Sequence, residues 1–161
     1  LRAAGLAVPD SVAPGAPPEV PAAGLAVRSV TGLVGFLSVG TNGLVQYLLA
    51  ADRNNDAVAA IYNPLHPALL HLLSQLIQHA GQAGVPLAVC GEIAGDPHLV
   101  PLLLALGLQE FSLHPSSLLA VRQMIRRCDA GALQAACPAL LRARDRRGIA
   151  RWLAAHTPAP P

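Results

Sequence analysis

The stretch FLSVGTNGLVQYLLAADR, residues 36–53, decides the fold of this chain. Residues 36–39 form a short apolar run that predicts a buried strand, and the small polar loop 40–43 follows directly. A helix is predicted from about 44 to 51. Because α/β folds bind ligands where a strand ends in a loop before a helix, the loop is a candidate binding site.

Three side chains of this stretch are suited to an anionic ligand. Thr41 and Asn42 can hydrogen-bond a ligand in the loop, and Arg53 offers a planar donor fork that fits phosphate or carboxylate. The alternative is an ordinary turn between strand and helix with a surface arginine. A single turn of this kind does not separate the two interpretations.

The composition limits the class of protein. The 161 residues suffice for one domain or for part of a larger one, and with 53% apolar but only 3% aromatic residues the core must consist of Leu, Ala and Val. A net charge of +2 does not indicate a nucleic-acid partner. The arginines between 142 and 151 are interpreted as a solvated helix face, because no aromatic residues alternate with them as in nucleic-acid-binding segments.

The cysteines and the longest apolar run bear on the cellular compartment. Cys90, Cys128 and Cys137 are odd in number and lack metal-ligand spacing, so we expect reduced thiols in a cytoplasmic protein. The longest apolar run, 99–108, is too short to span a bilayer, and no membrane insertion is expected.

The rest of the chain alternates strands and helices. Strands are predicted at 85–90 and 110–113, and the proline-rich segment 14–18 is at best a poor strand that cannot lie in the centre of a sheet. The predicted helices span 22–31, 67–80, 96–106, 117–127 and 130–155, with Ser116 or Ser117 as a cap and the last helix broken near Pro138 and restarted at Asp145. This order predicts parallel strands with right-handed crossovers. The pattern fits half of an eight-stranded barrel or a small open sheet.

A set of motifs then identifies a family. FLSVGTNGLVQY (36–47), ADRN (51–54), YNPLHP (62–67), VCGEIAGD (89–96) and GLQEFS (107–112) occur in this order. Together they closely resemble the C-terminal domain of enzyme I of the bacterial sugar phosphotransferase system, the phosphoenolpyruvate-protein phosphotransferase. YNPLHP favours that enzyme over pyruvate phosphate dikinase and phosphoenolpyruvate synthase.

The resemblance implies a fold and a division of the chain. The fold is α/β: the C-terminal half, about four βα units, of a TIM-type (β/α)8 barrel with parallel strands and a C-terminal helical extension. Residues 1–18 would be a poorly ordered or irregular proline-rich lead-in, and 19–128 the partial barrel that binds phosphoenolpyruvate. Residues 129–155 would form the helical extension and 156–161 a disordered tail.

The resemblance also implies an activity and partners. Family members bind phosphoenolpyruvate and pyruvate, pass the phosphoryl group to a histidine on a separate N-terminal domain, and then transfer it to a phosphocarrier protein. We expect that histidine domain and the first half of the barrel to lie outside these 161 residues. The domain mediates homodimerisation in the family, so a homo-oligomer is expected.

Four residues match functional positions of the family. Cys90 matches the cysteine that protonates the enolate left when the phosphoryl group departs, a role that suits a thiol at a strand end. Arg53 matches a phosphate-binding arginine, and Asn42 a residue that holds the substrate. Glu19 falls where the family has a glutamate that binds Mg²⁺.

Two departures from the family open a second interpretation. The family motif reads G-T-N-D, its aspartate is the second carboxylate on magnesium, and Gly43 stands at that position here. Prolines also interrupt the strand that precedes Glu19. The chain is therefore either part of an active phosphotransferase or a degenerate, inactive barrel fragment that acts as a regulatory or dimerisation module. A free-standing half-barrel with an unrelated ligand is a third possibility.

Overall fold

A parallel sheet of four strands forms the centre of the fold in a computed structural model, which describes residues 4, 5, 7 and 12–159. The strands lie in chain order across the sheet: β1 (Gly15–Ala16), β2 (Phe36–Gly40), β3 (Leu87–Cys90) and β4 (Glu110–Ser112). Every neighbouring pair is parallel. The α/β class with sequential parallel strands is thus confirmed, and it is consistent with part of a TIM-type barrel.

Nine helices are found among the described residues. Those before β3 are α1 (Pro21–Leu25), α2 (Val27–Thr31), α3 (Thr41–Leu49) and α4 (Pro67–Ala83). Those after β3 are α5 (Glu92–Gly95), α6 (Val100–Ala105), α7 (Leu118–Arg127), α8 (Ala130–Leu141) and α9 (Arg146–His156). Short 3₁₀ turns, Pro97–Leu99 and Pro115–Ser117, precede α6 and α7.

Alternating burial along β2 and β3 separates the two faces of the sheet. Leu37, Val39, Leu87 and Val89 are buried in the hydrophobic core that the helices share. The residues that alternate with them, including Ser38, Gly40 and Cys90, are only half-buried and lie on the opposite face. Since Gly40 is the register partner of Cys90, the end of β2 lies directly beside the end of β3.

Helix α4 supplies much of the core. The side chains of Leu69, Leu73 and Leu76 are 0% exposed, as the apolar spacing predicts for one face of an amphipathic helix. Pro67 occupies the first turn, where its missing N–H costs no hydrogen bond, and the His66 ring accepts a hydrogen bond from the Ala68 N–H. Gly84 ends the helix with a φ of 68°, a left-handed conformation that glycine adopts without strain.

Strand β1 lies at an edge of the sheet. It has two residues, and the Pro14 carbonyl accepts a hydrogen bond from the Gly35 N–H at 2.8 Å. The expectation that this proline-rich segment cannot be a central strand agrees with this position. The rest of the predicted lead-in, 1–18, and of the predicted tail, 156–161, lies partly outside the described residues.

The start of α3 differs from the prediction. The helix begins at Thr41, so residues 41–43 form its first turn and the predicted loop is not a loop. Glycine and asparagine are weak helix formers, but packing overrides this preference because Thr41 and Leu44 are both fully buried. The helix ends at Leu49, followed by Ala50 in a left-handed conformation with φ 50°.

The predicted helix break near Pro138 is also wrong. Pro138 lies inside α8, which continues to Leu141. The helical structure is interrupted only between Leu141 and Asp145, the N-cap of α9. Leu133 and Leu140 are buried on either side of the proline and hold the helix against the core. The restart at Asp145 is confirmed, since its carboxylate accepts a hydrogen bond from the Gly148 N–H at 2.7 Å.

Two further helix starts test the capping predictions. Asp96 caps the 3₁₀ turn before α6 by accepting from the His98 N–H at 2.9 Å, as predicted. The predicted Ser116 or Ser117 cap of α7 is wrong, because Ser117 makes no side-chain cap. Instead the His114 ring accepts from the Ser116 N–H at 3.3 Å.

The C-terminal helices form a packed pair. Helix α8 packs on α6, and α9 packs on both. Trp152 of α9 is 7% exposed, donates its indole N–H to the Ala136 carbonyl at 3.3 Å, and stacks on His156 with ring centres 4.2 Å apart. None of the described helices combines the length and apolar character needed to cross a membrane.

The position of Pro138 predicts a stabilising substitution. Pro138→Ala restores a backbone N–H within α8, and we expect it to raise the free energy of unfolding by about 1–2 kcal/mol. Urea denaturation followed by circular dichroism measures this change. The control is Pro115→Ala, since Pro115 is equally exposed but opens a 3₁₀ turn where no N–H is needed. Equal changes in stability for both variants would contradict the explanation.

Candidate functional site

A groove of about 540 Å³ lies where β2, β3 and β4 end. Its polar lining includes Asn42, Glu92, Asp96, Ser112, His114 and Ser117. Asn42 follows β2, Glu92 follows β3, and Ser112 is the last residue of β4, so the groove is at the carboxyl edge of the sheet. In parallel α/β sheets this is the edge where ligands bind.

Cys90 is the last residue of β3 and its thiol is held by the neighbouring strand. The thiol donates a hydrogen bond to the Val39 carbonyl, with Sγ 3.3 Å from the oxygen. The Ser38 hydroxyl donates to Cys90 Sγ at 3.8 Å. The side chain is half-buried and lies on the sheet face away from the apolar core.

The backbone at Cys90 is fixed from α3. The Thr41 hydroxyl donates to the Cys90 carbonyl at 2.7 Å, and Thr41 is 0% exposed. The expectation that Thr41 hydrogen-bonds a ligand is therefore wrong. The next residue, Gly91, has a φ of 104°, and a Cβ there would lie 2.6 Å from the Thr41 hydroxyl oxygen. Glycine is thus required for this close approach.

Asn42 connects the same two loops. The Glu92 backbone N–H donates to Asn42 Oδ1 at 3.4 Å. Asn42 also lines the groove, whereas Cys90 is not among the lining residues. A Cβ added at Gly91, the residue after Cys90, would lie 3.1 Å from Asn42 Oδ1, so Asn42 lies beside the loop that follows β3.

The link between Arg53 and the site is its electrostatic effect on Tyr62. Arg53 is exposed in the turn after α3 and does not line the groove. Burial and the negative charge of Glu92 raise the pKa of Tyr62, and the positive charge of Arg53 opposes them. Tyr62 also lines a smaller cavity of about 120 Å³ together with Asn42 and Glu92. The structure therefore places Arg53 within electrostatic range of Tyr62 but outside the groove lining.

Glu19 lies over the end of β2. A Cβ added at Gly40 would be 2.9 Å from Glu19 Oε1, so the carboxyl group occupies the space above that glycine. Gly40 is the register partner of Cys90, so the Glu19 carboxyl group lies over the residue that pairs with Cys90. A Cβ at Gly43 would lie 3.0 Å from the Glu19 carbonyl oxygen. Position 43 is therefore next to Glu19, where a second carboxylate would have to be.

The donor set does not fit the implied magnesium site. Mg²⁺ in near-octahedral geometry is held by carboxylates together with substrate oxygens. Glu19 is one carboxylate where the resemblance implies two, because Gly43 has no side chain. Within the described part of the chain, no group of three or more His, Cys, Asp or Glu side chains could hold a metal ion.

Sequence reasoning missed the side chains that surround the predicted ones. The sequence predicts Ser38 only as part of a strand, although the two-residue period of β2 puts it on the same face as Cys90. Tyr62 belongs to the motif YNPLHP, and the sequence alone assigns it no role. His114 and Ser112 line the groove, and nothing in their local sequence indicates it.

Comparison with known proteins identifies a family. The family model described as "PEP-utilising enzyme, PEP-binding domain", where PEP is phosphoenolpyruvate, matches residues 1–130. The chain is similar to a phosphoenolpyruvate-protein phosphotransferase of Cupriavidus necator, with 54% identity over 111 residues, or 69% of this chain. It is also similar to proteins of the same name from Geobacillus stearothermophilus, 45% identical over 76% of this chain, and Streptococcus equinus, 40% identical over 83%.

The matches cover a small part of each relative. The aligned region is 19% of the Cupriavidus necator protein, 21% of the Geobacillus stearothermophilus protein and 23% of the Streptococcus equinus protein. The chain thus spans about one fifth of the length of the relatives it matches. The name phosphoenolpyruvate-protein phosphotransferase therefore describes proteins much longer than the region that this chain matches.

The proximity of position 43 to Glu19 predicts a gain of metal binding. Gly43→Asp adds a second carboxylate, and we expect it to bind Mn²⁺, used as a paramagnetic substitute for Mg²⁺, at least about tenfold more tightly than the unmodified chain. The electron paramagnetic resonance signal of free Mn²⁺ measures this.

Two variants control for the size of the new side chain and for the Glu19 contribution. Gly43→Asn has the same shape without charge, and Glu19→Gln combined with Gly43→Asp leaves one carboxylate. Neither is expected to show the gain. Circular dichroism checks that the fold tolerates the close approach to the Glu19 carbonyl. Tight Mn²⁺ binding by the unmodified chain, equal to that of Gly43→Asp, would contradict the conclusion that the residues present do not fit a magnesium site.

Proposed function

This chain belongs to the PEP-binding domain family of PEP-utilising enzymes, and from that premise we propose that its groove binds phosphoenolpyruvate and pyruvate. The chain would contribute part of the substrate site of a phosphoenolpyruvate-protein phosphotransferase. The acceptor histidine and the phosphocarrier protein of the sugar phosphotransferase system would be supplied from outside these residues. The observation that carries the proposal is the Cys90 thiol, oriented by β2 at the carboxyl edge of the sheet.

The chemistry proposed for Cys90 is a proton transfer. When the phosphoryl group leaves phosphoenolpyruvate for an acceptor, the three-carbon product is the enolate of pyruvate. The Cys90 S–H bond breaks, a C–H bond forms at the enolate methylene carbon, and the products are pyruvate and the Cys90 thiolate. In the reverse direction the thiolate removes a proton from the pyruvate methyl group. A positioned acid or base of this kind accelerates such steps by about 10²–10⁴-fold.

Anion binding is assigned to Arg53 and Asn42. A guanidinium can bind a phosphate or carboxylate with two parallel hydrogen bonds, and such charge-assisted bonds are stronger than neutral ones. Arg53 acts electrostatically on Tyr62, which lines a cavity shared with Asn42. The Asn42 amide can then donate to the same ligand on the Cys90 side. These two contacts would orient the enolate carbon towards the thiol.

A second candidate function is supported by Gly43. With Glu19 as its one carboxylate at that end of β2, the chain would bind phosphoenolpyruvate without the electrostatic help of a resident metal. The chain would then act as a binding or dimerisation module rather than as a catalyst. The half-buried sheet face and the edge strands β1 and β4 would be available for pairing with a second copy.

The first prediction from this proposal concerns affinity. We expect Arg53→Ala to weaken phosphoenolpyruvate binding by about tenfold, because one charge-assisted contact is lost from an exposed site. Isothermal titration calorimetry on the chain measures the dissociation constant. Arg28→Ala is the matched control, since Arg28 is likewise an exposed arginine outside the groove lining but, unlike Arg53, is not among the charges that act on Tyr62. Equal affinities for the Arg53 and Arg28 variants would exclude Arg53 as the anchor.

The second prediction concerns proton transfer. In D₂O the chain should incorporate deuterium into the pyruvate methyl group, and Cys90→Ala should reduce this rate by about 100-fold or more, towards the buffer background. Proton NMR of the methyl signal gives the rate. Cys128→Ala is the control, because Cys128 is the C-cap of α7 and does not lie at the end of a strand as Cys90 does.

The outcomes separate the two candidate functions. Exchange that depends on Cys90 supports the catalytic role. If the unmodified chain binds phosphoenolpyruvate but exchanges no faster than buffer, the binding-module function is favoured. Exchange that is unchanged in Cys90→Ala would remove Cys90 from the mechanism altogether.

A further inference from the structure

The Cys90 sulfur has two hydrogen-bond partners, an acceptor and a donor. The Val39 carbonyl oxygen lies 3.3 Å from Sγ and accepts the thiol hydrogen. The Ser38 hydroxyl lies 3.8 Å from Sγ and donates to it. A carbonyl oxygen can pair only with the protonated thiol, whereas a hydroxyl donor pairs best with the thiolate. Adjacent residues of one strand thus favour opposite protonation states of the same side chain.

We propose that Ser38 is a positioning residue for Cys90, whose hydroxyl supports the thiolate that remains when Cys90 gives up its proton. This inference rests on the proposed function, in which Cys90 protonates an enolate. The proton leaves sulfur for the enolate carbon, and the Val39 oxygen then faces a negative sulfur without a shared hydrogen. The Ser38 O–H is the nearby donor that offsets this, until a proton from solvent restores the thiol.

The position of Ser38 in the sheet supports this role. Ser38 pairs with Ala88, and Gly40, two residues later on the same face, pairs with Cys90. Gly40 itself places no side chain between the Ser38 hydroxyl and the Cys90 sulfur, and the charged group over Gly40 on this face is the Glu19 carboxylate. Ser38 is half-buried, on the same face of the sheet as Cys90 and opposite the apolar core.

The backbone around Cys90 is held independently of Ser38. Thr41 holds the Cys90 carbonyl at 2.7 Å, and the ladder between β2 and β3 sets the register. Removing the Ser38 hydroxyl therefore leaves the strand and the Cys90 backbone in place, and the Val39 carbonyl still accepts the thiol hydrogen. Any change in the chemistry of Cys90 would then report on the hydrogen bond itself.

The test is the rate at which iodoacetamide alkylates Cys90 at a fixed mildly alkaline pH, because only the thiolate attacks this reagent. We expect Ser38→Ala to slow this alkylation by about threefold, since the lost stabilisation of the thiolate is partly compensated by a more nucleophilic sulfur. Ser38→Thr keeps the hydroxyl and should react within about twofold of the unmodified chain, by the same reasoning.

The chain contains its own reference thiols. Cleavage after arginine places Cys90 in the peptide 54–122, while Cys128 and Cys137 share the peptide 128–142, so mass spectrometry separates the two signals. Burial raises the pKa of both Cys128 and Cys137, so these thiols react slowly. Their rates should be identical in the unmodified chain and in both Ser38 variants.

Each outcome decides the inference. Slower alkylation of Cys90 alone in Ser38→Ala, with recovery in Ser38→Thr, supports it. Unchanged alkylation in Ser38→Ala overturns it, and so does an equal change in the 128–142 peptide or in Ser38→Thr, since either would indicate a structural effect. Because alkylation needs no substrate, absence of pyruvate exchange in the unmodified chain would refute the catalytic function without affecting this measurement.

Discussion

Four apolar side chains on two neighbouring strands determine which way the Cys90 thiol points. Leu37, Val39, Leu87 and Val89 must be buried together, and β2 and β3 therefore keep one register. A slip of one residue in either strand would expose its apolar pair and turn its polar residues into the core. The same constraint that forms the core thus directs Ser38 and Cys90 to the half-buried face.

The site depends on contacts that cross from one βα unit to the next. Thr41 holds the Cys90 carbonyl, Asn42 accepts from Glu92, and Val39 accepts from the Cys90 thiol. Each of these joins the end of β2 to the end of β3, over about 50 residues of sequence. All three contacts therefore lie within two adjacent βα units. A metal site at the end of β2 would need one more side chain, because Gly43 has none.

Much of the fold can be predicted from the sequence, and the failures have a common cause. The strands at 36 and 87 and helix α4 follow from apolar periodicity, which depends on local sequence alone. The start of α3 could not be predicted in this way, because a hydrogen bond from Thr41 to a strand 49 residues later fixes it. The continuation of α8 through Pro138 could not be predicted either, because burial of Leu133 and Leu140 outweighs the local destabilisation of the helix by the proline. The approach of Arg53 to Tyr62 likewise depends on the path of an irregular turn.

The C-terminal pair of helices carries a spectroscopic consequence. Trp152 is the single tryptophan of the chain, and it is buried where α9 packs on α8 with its indole N–H bonded to Ala136. Tryptophan fluorescence therefore reports on the docking of α9 alone, while the groove and the sheet contribute no indole signal. Undocking of this helix can be followed as a separate event, and compared with loss of the secondary structure that the βα units contribute.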